Sequence, residues 1–163
     1  MKSRSSPGVA EHRLGVISDT HGLVRPVALE ALVGVELIIH AGDIGKPEVL
    51  QALQAIAPVV AVRGNNDKGR WADRLPDTEV VEVDKVLLYV LHDVNRLDLD
   101  PAAAGFHVVI SGHSHQPSIV KRQGVLFLNP GSAGPRRFTL PISMAWLSIR
   151  GDSIEARFID LAV

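Results

Sequence analysis

Five short apolar segments of the 163-residue chain are each followed at once by side chains that bind metal ions well. These side chains are imidazoles, carboxylates and amides, and the chain contains no cysteine. Such nitrogen and hard-oxygen donors suit Mn, Fe, Ni, Co or Zn better than Ca, and the imidazoles argue against a pure Mg site. The set is too large to bind one tetrahedral ion, so it fits two ions that share a carboxylate. Two ions about 3.5–4 Å apart are the usual arrangement for phosphoryl chemistry. The five motifs are Asp19-Thr20-His21, Gly42-Asp43, Gly64-Asn65-Asn66-Asp67, His92-Asp93 and Gly112-His113-Ser114-His115.

The apolar segments before these motifs are short, and several are rich in β-branched residues, which is typical of buried strands. In an open α/β sheet the carboxyl ends of the strands share one edge, so donors scattered along the sequence would meet there. Two motifs place donors at i and i+2, a spacing that in extended backbone points both side chains the same way. The glycines of three motifs predict turns in which the backbone comes close to the site. The predicted strands are 14–18, 36–41, 59–62, 86–91 and 108–111.

The rest of the chain predicts further strands and a few helices. Apolar spacing and an early proline predict helices at 26–33 and 47–56, and an aspartate followed by proline predicts a helix start at 100–104. No repeat or linker interrupts the pattern, which is that of one α/β domain with a strand-rich second half. The remaining predicted strands are 78–83, 118–122, 125–128, 142–149 and 154–159.

Composition and charge narrow the classes of function. Hydrophobic residues make up 46% of the chain and charged residues 21%, and the net charge of −1 gives no sign of a nucleic-acid surface. The absence of cysteine excludes disulfides, thiolate zinc sites and a cysteine nucleophile, and it fits a cytoplasmic protein. No apolar run has the length of a membrane span. The polar stretch 1–12 is interpreted as a flexible arm that precedes a single domain at 13–163.

Each motif alone is weak evidence for a metal site. A lone histidine after a strand is usually a surface or packed residue, and a lone Gly-Asp pair is usually a turn. If these motifs had only such structural roles, each of the five would need its own explanation for its place at a predicted strand end. A single shared metal site explains all five at once, so the pattern favours it.

In order and spacing, the five motifs resemble those of the calcineurin-like metallophosphoesterases. The runs His40-Ala41-Gly42-Asp43 and Asn129-Pro130-Gly131-Ser132, together with the short chain, narrow the resemblance to the small YfcE-like phosphodiesterases, a branch related to Vps29. The resemblance extends from residue 14 over nearly all of the remaining chain. It implies a four-layer α/β/β/α sandwich and the hydrolysis of a small phosphodiester by a metal-bound hydroxide. It also leaves open a homo-oligomer, which is common among relatives of this size.

The resemblance further implies a role for each residue of the motifs. Two divalent ions are expected, with Mn first and Fe, Ni, Co or Zn as alternatives. One ion would be held by Asp19, His21 and His115, the other by Asn65, His92 and His113, with Asp43 bridging the two. Asp43, Asn65 and His113 are also assigned to catalysis. Four further residues are predicted to lie behind the ligands or to contact substrate: His40, Asn66, Asp67 and Arg136.

Two positions depart from the family pattern. Relatives often carry a histidine directly after the Gly-Asn pair, where it helps to protonate the leaving oxygen, and this chain has Asn66 there. An amide cannot act as a general acid, a role worth about 10²–10⁴-fold, so good leaving groups are expected. The fourth motif reads His92-Asp93-Val94 where the branch commonly reads His-Gly-His, and Asp93 adds negative charge beside the site. The alternative function is a metal-binding interaction scaffold of the Vps29 kind, with little or no catalysis.

Overall fold

The structure, a computed structural model, describes residues 10–161 of the chain. Within these residues the strands are β1 (Glu11–Ile17), β2 (Leu37–His40), β3 (Val59–Ala61), β4 (Thr78–Val83), β5 (Val86–Leu91), β6 (Val108–Ile110), β7 (Ser118–Arg122), β8 (Val125–Asn129), β9 (Ser143–Arg150) and β10 (Ser153–Asp160). The helices are α1 (Pro26–Ala31), α2 (Pro47–Gln54) and α3 (Arg70–Asp73), and a 3₁₀ helix spans Val94–Arg96. None of these described helices has the length and apolar character needed to cross a membrane.

The strands form two five-stranded sheets. Sheet A has the order β10-β9-β1-β2-β3, and β1, β2 and β3 are parallel to one another. Sheet B has the order β4-β5-β6-β8-β7, and β5, β6 and β8 are parallel. The other strands pair antiparallel with these central strands or with each other. All five donor motifs follow a parallel strand, so each sheet presents its donors at one edge.

The main core lies between the two sheets, where Ile39 of β2 and Ile110 of β6 are fully buried. Helices α1 and α2 cover the other face of sheet A, with Leu32 and Leu53 buried beneath them. On the outer face of sheet B, Tyr89 packs under the segment that follows β5. These layers confirm the predicted α/β/β/α sandwich, in which the fourth layer is thin because it contains a 3₁₀ helix and turns.

The predicted helix start at 100–104 is wrong. Asp100 does cap this segment, because its Oδ1 accepts the backbone N–H groups of Ala102 and Ala103 at 3.1 and 3.3 Å. The chain then reverses at Gly105, whose φ of +88° lies outside the right-handed helical region, so the segment is a turn. The sequence does not predict α3 or the 3₁₀ helix, because four and three residues are too few to show an apolar period.

The boundary of the predicted arm at 1–12 also needs correction, although residues 1–9 lie outside the described residues. Glu11 and His12 belong to β1 and pair with β9. His12 is held at both ring nitrogens, with Nδ1 at 2.9 Å from Glu36 and Nε2 at 3.2 Å from Asp84. The hydrogen bond to Glu36 raises the pKa of His12. The folded domain therefore includes at least two residues before the predicted boundary.

Candidate metal centre

Donors from both sheets meet at one end of the molecule. Two groups of side chains each bring three ligand atoms within 4.8 Å of one another. The first ligand group consists of Asp19, His21 and His115, and the second ligand group consists of Asp43, His92 and His113. Six of the seven predicted ligands are thus brought together by the loops that follow β1, β2, β5 and β6.

The first ligand group is buried around Asp19, which is inaccessible to solvent. Asp19 Oδ2 accepts the Ser18 hydroxyl at 2.6 Å and the His113 backbone N–H at 3.0 Å, which fixes the carboxylate. Asp19 Oδ1 faces His115 Nε2 at 3.4 Å and His21 Nε2 at 3.8 Å. Within the described residues, neither Asp19 Oδ1 nor His21 Nε2 has a hydrogen-bond partner. Buried polar atoms without partners are costly, and a cation between these two atoms would satisfy both.

The second ligand group is more open, and its imidazoles are oriented by contacts outside the group. His92 Nδ1 donates to the Ala41 carbonyl at 2.7 Å, which turns His92 Nε2 towards Asp43 Oδ2 at 3.3 Å. His113 Nδ1 lies 3.3 Å from His92 Nε2, and the His113 side chain is 43% exposed. One nitrogen of each imidazole therefore faces the same point as the carboxylate and is placed to bind an ion.

Asp43 joins the two groups. Its Oδ2 lies 3.3 Å from His92 Nε2 of the second group and 3.7 Å from His21 Nε2 of the first. Asn66 holds both oxygens, since its backbone N–H donates to Oδ1 at 2.8 Å and its side-chain amide to Oδ2 at 3.2 Å. Burial by itself raises the pKa of the Asp43 carboxyl, but the hydrogen bonds from His92 and Asn66 outweigh it and hold that pKa well below its usual range. Asp43 is therefore an ionised carboxylate within reach of both groups.

Opposing effects also set the charge states of Asp19 and His92. Burial opposes the ionisation of Asp19, but the His115 ring beside Oδ1 and the hydrogen bond from the Ser18 hydroxyl outweigh it and lower the Asp19 pKa. Burial opposes the protonation of His92, but the hydrogen bond to Asp43 and the charge of Asp19 outweigh it and raise the His92 pKa. In the metal-free protein the raised pKa favours a proton on His92, which would balance part of the carboxylate charge.

The backbone at the ligands is left-handed rather than extended. Five of the six residues in the two groups have φ between +48° and +72°, namely Asp19, His21, Asp43, His113 and His115. The i, i+2 spacing does bring Asp19 and His21 into one group, whereas His113 and His115 belong to different groups. Residues other than glycine adopt this region at a cost of about 1–3 kcal/mol each, so the hydrogen bonds around the loops must hold them there.

Two glycines of the motifs are required by the close packing of these loops. A Cβ on Gly64 would collide with the backbone nitrogen and Oδ1 of Asp43. A Cβ on Gly112 would collide with the Ser18 hydroxyl and with Asp19 Oδ2. The predicted close approach of the backbone is confirmed at both positions, and each glycine lies against a carboxylate of a different ligand group.

Asp67 lies behind the ligands and holds backbone groups. Its Oδ2 accepts the N–H groups of Asp43 at 3.0 Å and Gly64 at 2.8 Å, and its Oδ1 accepts that of Gly45 at 3.0 Å. The residue is 1% exposed. One buried carboxylate therefore ties the loop after β2 to the loop after β3, and it positions Asp43 through the main chain.

His40 is fully buried and belongs to neither ligand group. Its Nδ1 accepts the Gly42 N–H at 3.1 Å, so Nε2 carries the proton and donates to Thr20 Oγ1 at 3.0 Å. The Thr20 hydroxyl in turn donates to the Ile44 carbonyl at 2.9 Å. Burial lowers the pKa of His40 to about 4, which keeps the ring neutral. His40 thus connects the loops that carry Asp19 and Asp43.

A cleft of about 750 Å³ opens beside the second ligand group. Asn65, the seventh predicted ligand, is exposed and lines this cleft together with His92 and His113. Arg136, predicted to contact substrate, is not among the residues that line the cleft, and its guanidinium donates to the Leu140 carbonyl at 3.2 Å. The structure therefore places Asn65 at the site and gives Arg136 a contact within its own loop.

Sequence reasoning does not identify several residues that shape the centre. Ser18 holds Asp19 through its hydroxyl, and Ser132 Oγ donates to the Asp19 carbonyl at 3.0 Å. Lys68, Tyr89 and Arg96 line the cleft beside the second ligand group. Serines near strand ends are common in any chain, and the cleft residues come from three separate segments. The sequence offers no local signal for these residues, because only the fold brings them together.

Comparisons with known proteins agree with this geometry. Residues 13–152 match the family profile described as the calcineurin-like phosphoesterase superfamily domain. A probable metallophosphoesterase of Methanothermobacter thermautotrophicus is 35% identical over 158 residues, which cover 90% of this chain and 91% of that protein. A phosphodiesterase of Methanocaldococcus jannaschii is 28% identical over 137 residues, which cover 73% of this chain and 82% of that protein.

The fold likeness extends to proteins of lower sequence identity. The structure of vacuolar protein sorting 29 from Cryptosporidium parvum matches with a TM-score of 0.75 at 17% identity, over 92% of this chain and 97% of that chain. At this identity the match shows a shared fold and no more. The family profile spans most of the chain, and both ligand groups lie within it. The chain therefore belongs to the calcineurin-like phosphoesterase superfamily.

Proposed function

We propose that the protein is a two-metal phosphodiesterase that acts on a small phosphodiester. The observation that carries this proposal is the position of Asp43 Oδ2 between the two ligand groups, 3.3 Å from His92 and 3.7 Å from His21. A carboxylate shared in this way is what a pair of closely spaced cations needs. Membership of a phosphoesterase superfamily and a relative named a phosphodiesterase support the class of ester.

The residues present fit two divalent cations. The unpartnered Asp19 Oδ1 and His21 Nε2 support a cation in the first ligand group. Asn65, which lines the cleft beside His92 and His113, would complete the second group with its amide oxygen. Nitrogen and oxygen donors without sulfur suit Mn, Fe, Ni, Co and Zn alike, and the family resemblance puts Mn first. Bound divalent cations supply Lewis-acid stabilisation of phosphoryl charge and activation of water at neutral pH.

The chain itself binds and orients the substrate. The cleft beside the second ligand group has the size of sites that bind small molecules, so it can receive one ester arm while the phosphoryl group lies at the ligands. Asn66 is engaged with both oxygens of Asp43, and its amide cannot act as a general acid. The departure of the alcohol is therefore not assisted by a side chain at this position, which favours substrates with acidic leaving groups.

The test compares bis-p-nitrophenyl phosphate with p-nitrophenyl phosphate as substrates. The protein is stripped of metal and then supplied with Mn, Fe, Ni, Co or Zn in turn. We expect diester hydrolysis that requires metal and exceeds monoester hydrolysis. His113→Ala should lower the rate by about 10²-fold or more, as expected when a contact to the reacting group is lost. His107→Ala removes an imidazole outside both ligand groups and serves as the matched control.

Two results would contradict the proposal. Hydrolysis that prefers the monoester would reassign the protein to phosphomonoesterases. A protein that binds two cations and hydrolyses neither probe would exclude a general phosphodiesterase and favour the interaction scaffold instead.

A further inference from the structure

Asp93 lines the cleft but belongs to neither ligand group. Its Oδ2 lies 3.8 Å from His113 Nε2, which is ion-pair range. Its Oδ1 accepts the backbone N–H of Asn95 at 3.0 Å and caps the 3₁₀ helix Val94–Arg96. With one oxygen anchored and its side chain only 23% exposed, the carboxylate has a defined place beside His113.

The two ring nitrogens of His113 face different partners. Nδ1 faces His92 Nε2 at 3.3 Å inside the second ligand group, and Nε2 faces Asp93. Within residues 10–161, Asp93 is the charged partner of His113 Nε2, which makes no hydrogen bond there. His92 has the equivalent arrangement, because its Nδ1 donates to the Ala41 carbonyl while its Nε2 faces the group. Histidines that bind metal through one nitrogen are usually oriented by an acceptor at the other.

We propose that Asp93 is a positioning residue whose carboxylate faces Nε2 of His113 at ion-pair distance and so holds His113 Nδ1 towards a cation in the second ligand group. The proposal rests on the metal assignment of the proposed function. A carboxylate in this position selects the tautomer with an unprotonated Nδ1 and makes that nitrogen a stronger ligand. Because the His113 side chain is 43% exposed, packing alone does not fix the rotation of its ring. The Asp93 carboxylate can therefore determine which way the ring faces.

The experiment measures metal binding rather than catalysis. Full-length protein stripped of metal is titrated with Co²⁺ by calorimetry, and the visible absorption of Co²⁺ reports the coordination of each ion. Binding at the second ligand group is identified as the event that His113→Ala removes. Asp93→Ser keeps an oxygen that can cap the 3₁₀ helix but cannot reach His113, so it separates the two contacts of Asp93. Asp98→Ser is the matched control, since Asp98 lines the same cleft and belongs to neither ligand group.

We expect Asp93→Ser to weaken the second binding event by about 10–100-fold and to leave the first unchanged. Asp93→Asn keeps a neutral acceptor of the same shape and should restore part of the loss. Asp98→Ser should leave both events as in the parent protein. Unchanged binding in Asp93→Ser would overturn the proposal, as would an equal loss at both events or the same loss in Asp98→Ser. A parent protein that binds no Co²⁺ would instead defeat the proposed function.

Discussion

The two ligand groups meet at Asp43, a member of the second group that also lies near His21 of the first, but they are built in different ways. In the first group the side chains of Asp19 and His115 are 0% and 3% exposed, and Asp19 Oδ1 and His115 Nδ1 have no hydrogen-bond partner among the described residues. In the second group the His113 side chain is 43% exposed, and His92 and His113 each have an acceptor facing their outer nitrogen.

This difference shows two ways of holding a ligand in place. The first group relies on burial, which fixes the rings by packing but leaves polar atoms that depend on a cation for partners. The second group faces the cleft at His113, whose exposed ring is not fixed by packing alone. A contact from Ala41 orients the buried His92 ring, and Asp93 faces His113. We therefore expect an ion in the first group to contribute mainly to stability and an ion in the second to face substrate.

The largest effect is expected from Asp43→Asn. The substitution removes the negative charge that lies near the histidines of both groups. Loss of a charge at this position should lower diester hydrolysis by on the order of 10³-fold, the upper range for one electrostatic contact at a reacting centre. Co²⁺ titration should show weaker binding at both groups rather than one. Asp152→Asn, at an exposed turn outside the cleft, is the control. Normal binding at either group in Asp43→Asn would show that the carboxylate is not shared.

A large effect on stability is expected from Asp67→Ala. The substitution leaves the buried N–H groups of Asp43 and Gly64, and the exposed one of Gly45, without their acceptor, at a cost of about 3 kcal/mol. In thermal melts this should lower Tm by about 2–4 °C per kcal/mol for a chain of this size. Asp73→Ala, at a carboxylate that is 66% exposed, should change Tm little. Equal melting temperatures for the two variants would show that Asp67 does not hold the loops.

A smaller effect is expected from pH, and it depends on the protonation of His92 in the second group. The hydrogen bond to Asp43 raises the pKa of His92 against the effect of burial. In metal-free protein this contribution to stability is complete below the ordinary pKa of about 6.5 and is lost as pH rises through the raised value. A cation needs the neutral ring, so it competes with this proton. The rise in Tm on adding Co²⁺ should therefore grow between pH 6 and 8.

The measurement is a series of melts with and without Co²⁺ across that range. His92→Gln, melted without Co²⁺, tests whether the pH dependence of the metal-free protein belongs to that residue. A rise in Tm that stays constant above pH 6.5 would contradict the raised pKa of His92.

The sequence predicts the fold and the place of the site well because both depend on repeated local signals. Buried strands have apolar runs, and the residues that follow parallel strands must share an edge, so Asp19 and His113 could be brought together without coordinates. The way in which Asp67 and Asp93 act could not be predicted, because each works through a contact set by loop conformation. The helix expected at Asp100 failed for a related reason, since the cap is present but Gly105 ends the segment at once.

The left-handed backbone at five ligand residues has a consequence for how this protein can change over generations. Glycine and asparagine adopt that conformation more readily than histidine does, so the backbone at these positions works against the ligands. Backbone conformation alone would therefore favour replacing the ligands one by one. Only continued selection for chemistry keeps five unfavourable residues in place, so a lineage released from that demand should lose its ligands early while the sandwich persists.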